Sequence, residues 1–340
     1  MTTSSGGEPA ERTKAAVLED VAGLAGVSAM TVSRVLNAPE KVRPETRARV
    51  LAAVQELGYR PNFAARSLVT GRSGVLGVVS FDTTLYGPAS TLYAIERAAR
   101  EHDYLVNIAS LEAMTRRSIA EGVDRLRQQS VDGVIVIVPH ESAADGLRDL
   151  PPDLPVVDVG GGERLSVPAV AVDHHAGAVR ATRHLLELGH DTVHHLSGPA
   201  NWIDANNRMQ GWRHALRGRE IPPPLAGDWS ANSGYEQGKR LSRDPSVTAV
   251  FVANDPMALG LMRAFREAGR RVPEDVSVVG YDDVPEAAHF WPPLTTVRQN
   301  FATLGRQAFQ LLLNRMVGHD TSERRTVEPE LVVRESTSRR

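Results

Sequence analysis

"LEDVAGLAGVSAMTVSRVLN", Leu18 to Asn37, decides how the N-terminal part of this chain is read. Val21, Leu24 and Ala25 recur at i, i+3 and i+4, the spacing of one face of a helix. Gly26 stands where a helix ends in the left-handed conformation, and Ser28 where the next helix takes its N-cap. "AMTVSRVLN" then turns Val32, Val35 and Leu36 inward and Ala29, Met30, Ser33 and Arg34 outward. A third helix is expected from Pro44, a favoured first helical residue, to Leu57, with Gly58 closing it. Two short helices joined through "AGVS" make a helix-turn-helix, and the small Ala22 and Ala25 let the second cross the first steeply. A helix in that setting offers its N-terminal residues to base edges in the major groove. Arg34 suits guanine O6/N7, and Ala29 or Met30 suits a thymine methyl. An αα-hairpin with no DNA role would carry the same local pattern.

Charge favours the first reading. Val17 to Arg72 holds eight basic residues against five acidic ones, an excess of +3 on a chain of net charge −2, so the remainder carries −5. A basic head on an acidic body points to a polyanion at one end. The 340 residues exceed one ordinary domain. A hydrophobic share of 41% and a charged share of 24% are those of a globular chain. No stretch reaches the ~18 apolar residues of a membrane span. "MTTSSGGEPAERTK" lacks the apolar core of an export signal, so a cytoplasmic location and no membrane partner are expected. The absence of cysteine excludes disulfides, thiolate metal sites and cysteine nucleophiles.

From Val75 the pattern changes. "VLGVVSF", "YLVNIAS", "GVIVIVP", "VVDVGG", "VHHLSG", "AVFVAND" and "VSVVGYD" are short runs rich in Val and Ile. Amphipathic segments such as Arg116 to Gln129, His174 to Leu188 and Asp255 to Gly269 separate them. Strand alternating with helix means βαβ units and parallel sheets, whose strands are apolar throughout because both faces are covered. Seven or more strands over roughly 260 residues suit two sheets and two lobes. The expected architecture is an all-α helix-turn-helix head joined to an α/β body of two doubly wound parallel-sheet lobes. Its expected parts are a disordered N-terminus over 1–16, the head over 17–60, a connecting segment over 61–73, the body over 74–336 and a tail over 337–340.

The connecting segment, "YRPNFAARSLVTGRSG", is harder to place. Asn62 to Leu68 reads as barely two helical turns, far below the ~12–15 residues that hold a helix together in water. "LEDVAGLAGVSAMTVSRVLN" followed by "VRPETRARVLAAVQELGYRPNFAARSLVTGRSGVLGVV" closely resembles the head of the lactose-repressor/galactose-repressor (LacI/GalR) family of bacterial transcription regulators. The resemblance runs from Leu18 to about Ser336. It implies that Asn62 to Leu68 is a hinge helix that pairs across a homodimer in the operator minor groove. Leu68 matches the leucine that wedges between base steps, with Ala65 as the small residue beside it. Such wedging costs a few kcal/mol, offset by the contacts that bent DNA permits. A marginal helix is one the body can melt, and coupling of ~1–3 kcal/mol is typical of such control. The resemblance also implies that Ser28, Thr31, Ser33, Asn37, Thr46, Tyr59 and Asn62 contact the backbone of double-stranded operator DNA, positioning without specifying. Ala29 and Met30 replace the larger polar pair with which the lactose repressor reads bases, so the operators need not match. Arg43 replaces the usual serine before the third helix, exchanging a cap for a phosphate contact.

The body resembles the family's effector domain, itself similar to periplasmic sugar-binding proteins, with a ligand at the carboxyl ends of the strands between lobes. "NRMQGW", "AGDWSANSGYE", "VANDPMALG", "VVGYDDVPEA" and "PPLTTVRQNFATLG" resemble the sugar-responsive lactose-repressor branch. By that match Arg208, Asn254 and Asp282 are polar ligands of a saccharide, Trp229 is an aromatic platform, Phe301 lines the pocket and Asp158 binds another hydroxyl. Hydroxyls both donate and accept, and an aromatic plane covers the C–H face of a sugar ring, so this mixture is chemically apt. Each residue has a plainer role open to it: an interlobe salt bridge for Arg208 with Asp282, core for Trp229, and a helix cap for Asn254 and above all Asp255. Trp202, Asp204 and the loop Ser80 to Ser90 are further candidates.

The His174-His175 and His194-His195 pairs lack metal-ligand spacing, Gly160 to Gly162 is followed by no Lys-Ser/Thr, and Ser197 is not in a G-x-S-x-G elbow. A regulator, not an enzyme, with no cofactor is therefore expected. The sequence closes on "ELVVRESTSRR" without leucine heptads, so a dimer is expected over a tetramer. The expected effector is a small sugar that releases the operator. A corepressor-type regulator sensing a purine or other small metabolite, and a non-regulatory sugar-binding protein, are the alternatives.

Overall fold

The computed structural model describes residues 16–59, 71–113, 115–137, 140, 146–147, 150–151, 153–160, 167–319 and 323–340. All of the expected disordered segment except Ala16 falls outside these residues, as do Asn62, Ala65 and Leu68 of the expected hinge helix. The chain divides into two compact units, Met1–Ser73 and Gly74–Arg340.

The head holds helices α1 (Leu18–Ala25), α2 (Ala29–Asn37) and α3 (Pro44–Glu56). Asp20 accepts the Val17 N–H at 2.8 Å, satisfying one of the orphan donors at the start of α1. Gly26 ends that helix at φ 63°, and Ser28 opens the next by accepting the Thr31 N–H at 3.2 Å. Arg43 precedes α3 without a side-chain cap. Val21, Ala22, Ala25, Val32, Val35, Val50 and Ala53 form the core. Leu24 departs from expectation: it is 48% exposed. The buried stripe of α1 is centred on Ala25, and Leu24 lies one residue, about 100°, round the helix from it.

The body holds two six-stranded sheets. Lobe 1 contains β1 (Val75–Phe81), β2 (Leu105–Leu111), β3 (Gly133–Ile137), β4 (Val156–Val159), β5 (Ala169–Val172) and β11 (Arg324–Val327). They run in the order β2-β1-β3-β4-β5-β11, parallel throughout. Lobe 2 contains β6 (His194–Ser197), β7 (Leu225–Ala226), β8 (Ala249–Val252), β9 (Ser277–Asp282), β10 (Thr295–Arg298) and β12 (Glu330–Val332). Their order is β7-β6-β8-β9-β10-β12, parallel except that β12 runs antiparallel to β10. Helices α4 (Tyr86–Arg100), α5 (Arg116–Gln128) and α10 (Phe301–Met316) cover lobe 1. Helices α6 (His174–Glu187), α7 (Ile203–Ala215), α8 (Ala231–Leu241) and α9 (Asp255–Glu267) cover lobe 2.

The chain passes between lobes at three places: from β5 into α6, from β10 into α10, and from β11 into β12. The first and third are tied where Asp173 N–H donates to the Val327 carbonyl at 3.0 Å. Residues 337–340, expected as a tail, are instead fastened to lobe 2. Ser338 N–H donates to Ser277 Oγ at 3.1 Å and Arg340 N–H to the Leu188 carbonyl at 3.0 Å. No helix among the described residues is long and apolar enough to cross a membrane.

Candidate functional site

In the head, α2 has an inward and an outward face, as its spacing requires. Val32 and Val35 are buried, whereas Met30 is 70% exposed and Arg34 is open to solvent. Ser28, Thr31, Ser33 and Thr46 lie at or near the surface, and the Ser28 hydroxyl shares a 2.9 Å hydrogen bond with Thr31 Oγ1. Lys41 and Arg43 just before α3, and Arg47 and Arg49 within it, are all exposed. That row of cations is suited to phosphates. Two expected contacts are partly spent inside the head. Ala29, the first residue of α2, and Tyr59, just after Gly58, are partly buried and pack against its core. Asn37 is the last residue of α2.

In the body, a cavity of about 480 Å³ opens between the lobes at the carboxyl ends of both sets of strands. Arg208, Trp229, Asn254, Asp282 and Phe301 all line it, together with Trp202, Asp204 and residues Thr84 to Ala89, the end of the loop after β1 and the first turn of α4. Asp158 does not. Val157 and Val159 of β4 pack into the lobe 1 core on the cavity side, so strand alternation turns the buried Asp158 side chain to the opposite face with Val156.

Arg208 is the hub. Its side chain is 5% exposed, and its guanidinium lies 3.9 Å from the centroid of the Tyr281 ring and 5.5 Å from that of Trp229. It donates to the Ala253 carbonyl, and its Nε donates to His174 Nδ1 at 3.3 Å. Its Nη2 stands 3.5 Å from Asp282 Oδ1. Arg208 and Asp282 therefore do pair, but within lobe 2, not across the lobes. Asp282 also accepts from Gln299 Nε2 at 2.7 Å. Burial pushes its carboxyl up to about 6 against the opposing pull of Arg208. Its φ of 108° is a strained conformation for a residue with a Cβ, of the kind that structures retain at binding sites. On the other side, His174 Nε2 lies 3.3 Å from Asp204 Oδ1. Burial opposes ionisation of Asp204, but His174 and Arg208 outweigh it and hold its pKa below the usual range.

Trp229 is both platform and core: it is 7% exposed, lines the cavity and belongs to the lobe 2 cluster. Its φ of 74° is strained. Its ring lies on Gly198, where a Cβ would fall 2.2 Å from the indole. Its carbonyl accepts from Asn254 Nδ2 at 3.0 Å, while Asn254 Oδ1 caps α9 by accepting the Met257 N–H at 2.9 Å. Trp229 Nε1 is buried without a hydrogen-bond partner among the described residues, leaving a donor for a bound molecule.

Asp255, expected above all as the cap of α9, yields that role to Asn254. It is fully buried, accepting the Val284 N–H at 2.9 Å and sharing a 2.6 Å hydrogen bond with Thr296. It thereby ties α9 to the loop after β9 and to β10. Burial, with Asp282 nearby, raises its pKa well above the usual range.

Sequence reasoning missed His174 and Gln299 as lining residues. Both stand at passages between lobes, and the signal that would have found them is their place immediately beside those crossings.

The comparisons with known proteins agree with this geometry. Residues 17–62 match the bacterial regulatory proteins of the lacI family, and residues 182–337 match the periplasmic binding protein-like domain. The chain is 39% identical to the HTH-type transcriptional regulator CelR of Thermobifida fusca, over 96% of this chain and 99% of that one. It is 37% identical to the lactose operon repressor of Klebsiella pneumoniae, over 95% of this chain and 92% of that one. Among solved structures, a lac repressor dimer bound to operator and the anti-inducer ONPF superposes with a TM-score of 0.86 at 34% identity. That match covers 96% of this chain and all of the repressor chain. A complex of CelR with cellobiose matches with a TM-score of 0.70 at 34% identity, over 94% and 99% of the two chains. With a helix-turn-helix head, a two-lobed binding body and full-length relatives of that kind, this chain belongs to the lacI family of bacterial regulatory proteins, DNA-binding regulators of transcription and not enzymes.

Proposed function

We propose that the protein is a cytoplasmic repressor of carbohydrate-utilisation genes, a homodimer released from a pseudo-palindromic operator by a small saccharide. The observation that carries the effector class is the Arg208, Asp282, Asn254 and Trp229 arrangement around one cavity. It offers donors and acceptors to hydroxyls and an indole to a C–H face, on a protein related to a cellobiose-binding regulator. In this reading Arg208, Asp282 and Asn254 hold hydroxyls, Trp229 stacks, and Phe301 closes the apolar side. Ser28, Met30, Thr31, Ser33 and Arg34 meet the operator, and the segment containing Asn62, Ala65 and Leu68 orders in the minor groove only when paired on DNA. Saccharide binding separates the two segments and melts them.

A purine-sensing regulator is the competing expectation, and the relatives include the HTH-type transcriptional repressor PurR of Haemophilus influenzae at 33% identity. A thermal-shift screen of the full chain decides between them. Ligand that binds the folded state alone raises the melting temperature by mass action, about 2.7 kcal/mol of stabilisation at 100 times Kd. Cellobiose, lactose, related glycosides and monosaccharides are screened beside hypoxanthine and guanine. A shift with a saccharide supports the reading; a shift with a purine alone rejects it.

A further inference from the structure

We propose that Phe81 and His140 of lobe 1 are positioning residues that clamp Trp202 of lobe 2, and through it couple closure of the cleft to the Trp229 platform; the proposal rests on the saccharide reading of the cavity. Six contacts converge on this point. The backbones of His140 and Trp202 form an antiparallel bridge between the lobes. The His140 ring lies 5.0 Å from the Trp202 ring and 5.2 Å from Phe81, while Phe81 stands 6.4 Å from Trp202. Asn201 Nδ2 lies 3.3 Å from His140 Nδ1. The next residue along, Ile203, is 7% exposed and packs into the lobe 1 cluster with Val79 and Leu111.

Trp202 faces both ways. It is 8% exposed and lines the cavity, and its ring meets Trp229 edge-on, at 5.5 Å and 74°. Aromatic pairs in that geometry have a preferred arrangement, so displacing one ring displaces its neighbour. His140 and Phe81 do not line the cavity. An effect of His140 on ligand affinity is therefore indirect, and Trp202 is the residue it touches that also lines the cavity. The three chain crossings join the lobes covalently, whereas this clamp is one backbone bridge and non-covalent ring packing. A ligand seated against Trp202 and Trp229 stabilises the clamped state, and the clamp in turn strengthens ligand binding by the same factor.

The test is a double-mutant cycle on the full chain, with cellobiose titrated by calorimetry into wild type, His140→Ala, Trp202→Ala and the double variant. The proposal expects His140→Ala to weaken cellobiose by about 10-fold, and to weaken it no further in the Trp202→Ala background. A His140→Ala affinity within about twofold of wild type, or losses that simply multiply, overturns it. A ligand-free arm uses tryptophan emission. His140→Ala should shift the emission of Trp202 to longer wavelength, and the shift should vanish in the conservative Trp202→Phe background. An emission spectrum unmoved by His140→Ala overturns the clamp. Absence of cellobiose heat in wild type counts against the saccharide reading instead, and the emission arm then decides the clamp alone.

Discussion

Lobe 1 meets the cleft with Ile137, Val159, Val172, Phe301 and Leu304, whereas lobe 2 meets it with Asp204, Arg208, Trp229, Asn254 and Asp282. The two lobes have similar parallel sheets, and the carboxyl ends of both face the cavity. They differ in the residues at and just past each strand end. In lobe 1 the ends of β3, β4, β5 and β11 are apolar and stop within the cluster that α10 covers. In lobe 2, Asp282 at the end of β9 and Gln299 just past β10 are buried and hydrogen-bonded to each other, and the buried Arg208 of α7 stands against Asp282. Recognition of hydroxyls is thus concentrated in one lobe, and the other supplies an apolar cover. A buried charge is stable only when paired, so the network holds its geometry before any ligand arrives.

The largest expected effect is at the hub of the lobe 2 wall. Arg208→Ala removes one partner of a buried pair, a change that costs about 3–5 kcal/mol. Saccharide affinity should fall by about 100-fold or more by calorimetry; a loss below tenfold would place recognition elsewhere. Gly198→Ala comes next. The new methyl forces the Trp229 ring off its seat, and affinity should drop by about 10–50-fold, roughly 1.5–2.5 kcal/mol. An unchanged Kd would show that the platform tolerates displacement. A pH titration of affinity tests Asp282. Its pKa is raised to about 6, so the carboxylate is lost as pH falls through that value. A ligand hydroxyl donating to the ionised form then binds more weakly, by up to about tenfold per pH unit below 6. Asp282→Asn should flatten that dependence, and a flat wild-type profile would remove Asp282 from the contact set. The smallest effect on affinity is expected from lobe 1. Leu304→Ala should cost about 2–5 kcal/mol of folding stability in denaturant melts. It should change saccharide affinity less than about fivefold. If Leu304 and Arg208 have equal effects on affinity, the division of labour between lobes is wrong.

Much of this is legible in the sequence because it is local. Gly26, Ser28 and Pro44 punctuate the head at fixed offsets, and the structure places the expected left-handed end, cap and helix start there. The strand β1 begins and ends where its apolar run does. Features that depend on distant partners are not legible. Asp158 sits in a strand buried on both faces, so its sequence does not say which face meets the cleft. Asp255 has the local look of a cap, but Val284 and Thr296, far along the chain, claim its oxygens. Strands β11 and β12 escape a reading by apolar runs because "RRTV" and "ELV" are short edge strands, set by where the chain crosses between lobes. Spacing alone puts Leu24 inside, because it fixes a stripe's period but not its centre.

The most direct test of saccharide-controlled repression is operator affinity, measured by fluorescence anisotropy with and without the saccharide that raises the melting temperature, in wild type and in Arg208→Ala. Saccharide is expected to weaken operator binding by wild type about 5–150-fold. Arg208→Ala should bind operator as wild type does and fail to respond at the same saccharide concentration. Release of the operator from Arg208→Ala, or a saccharide that binds wild type and leaves operator affinity unchanged, would contradict it.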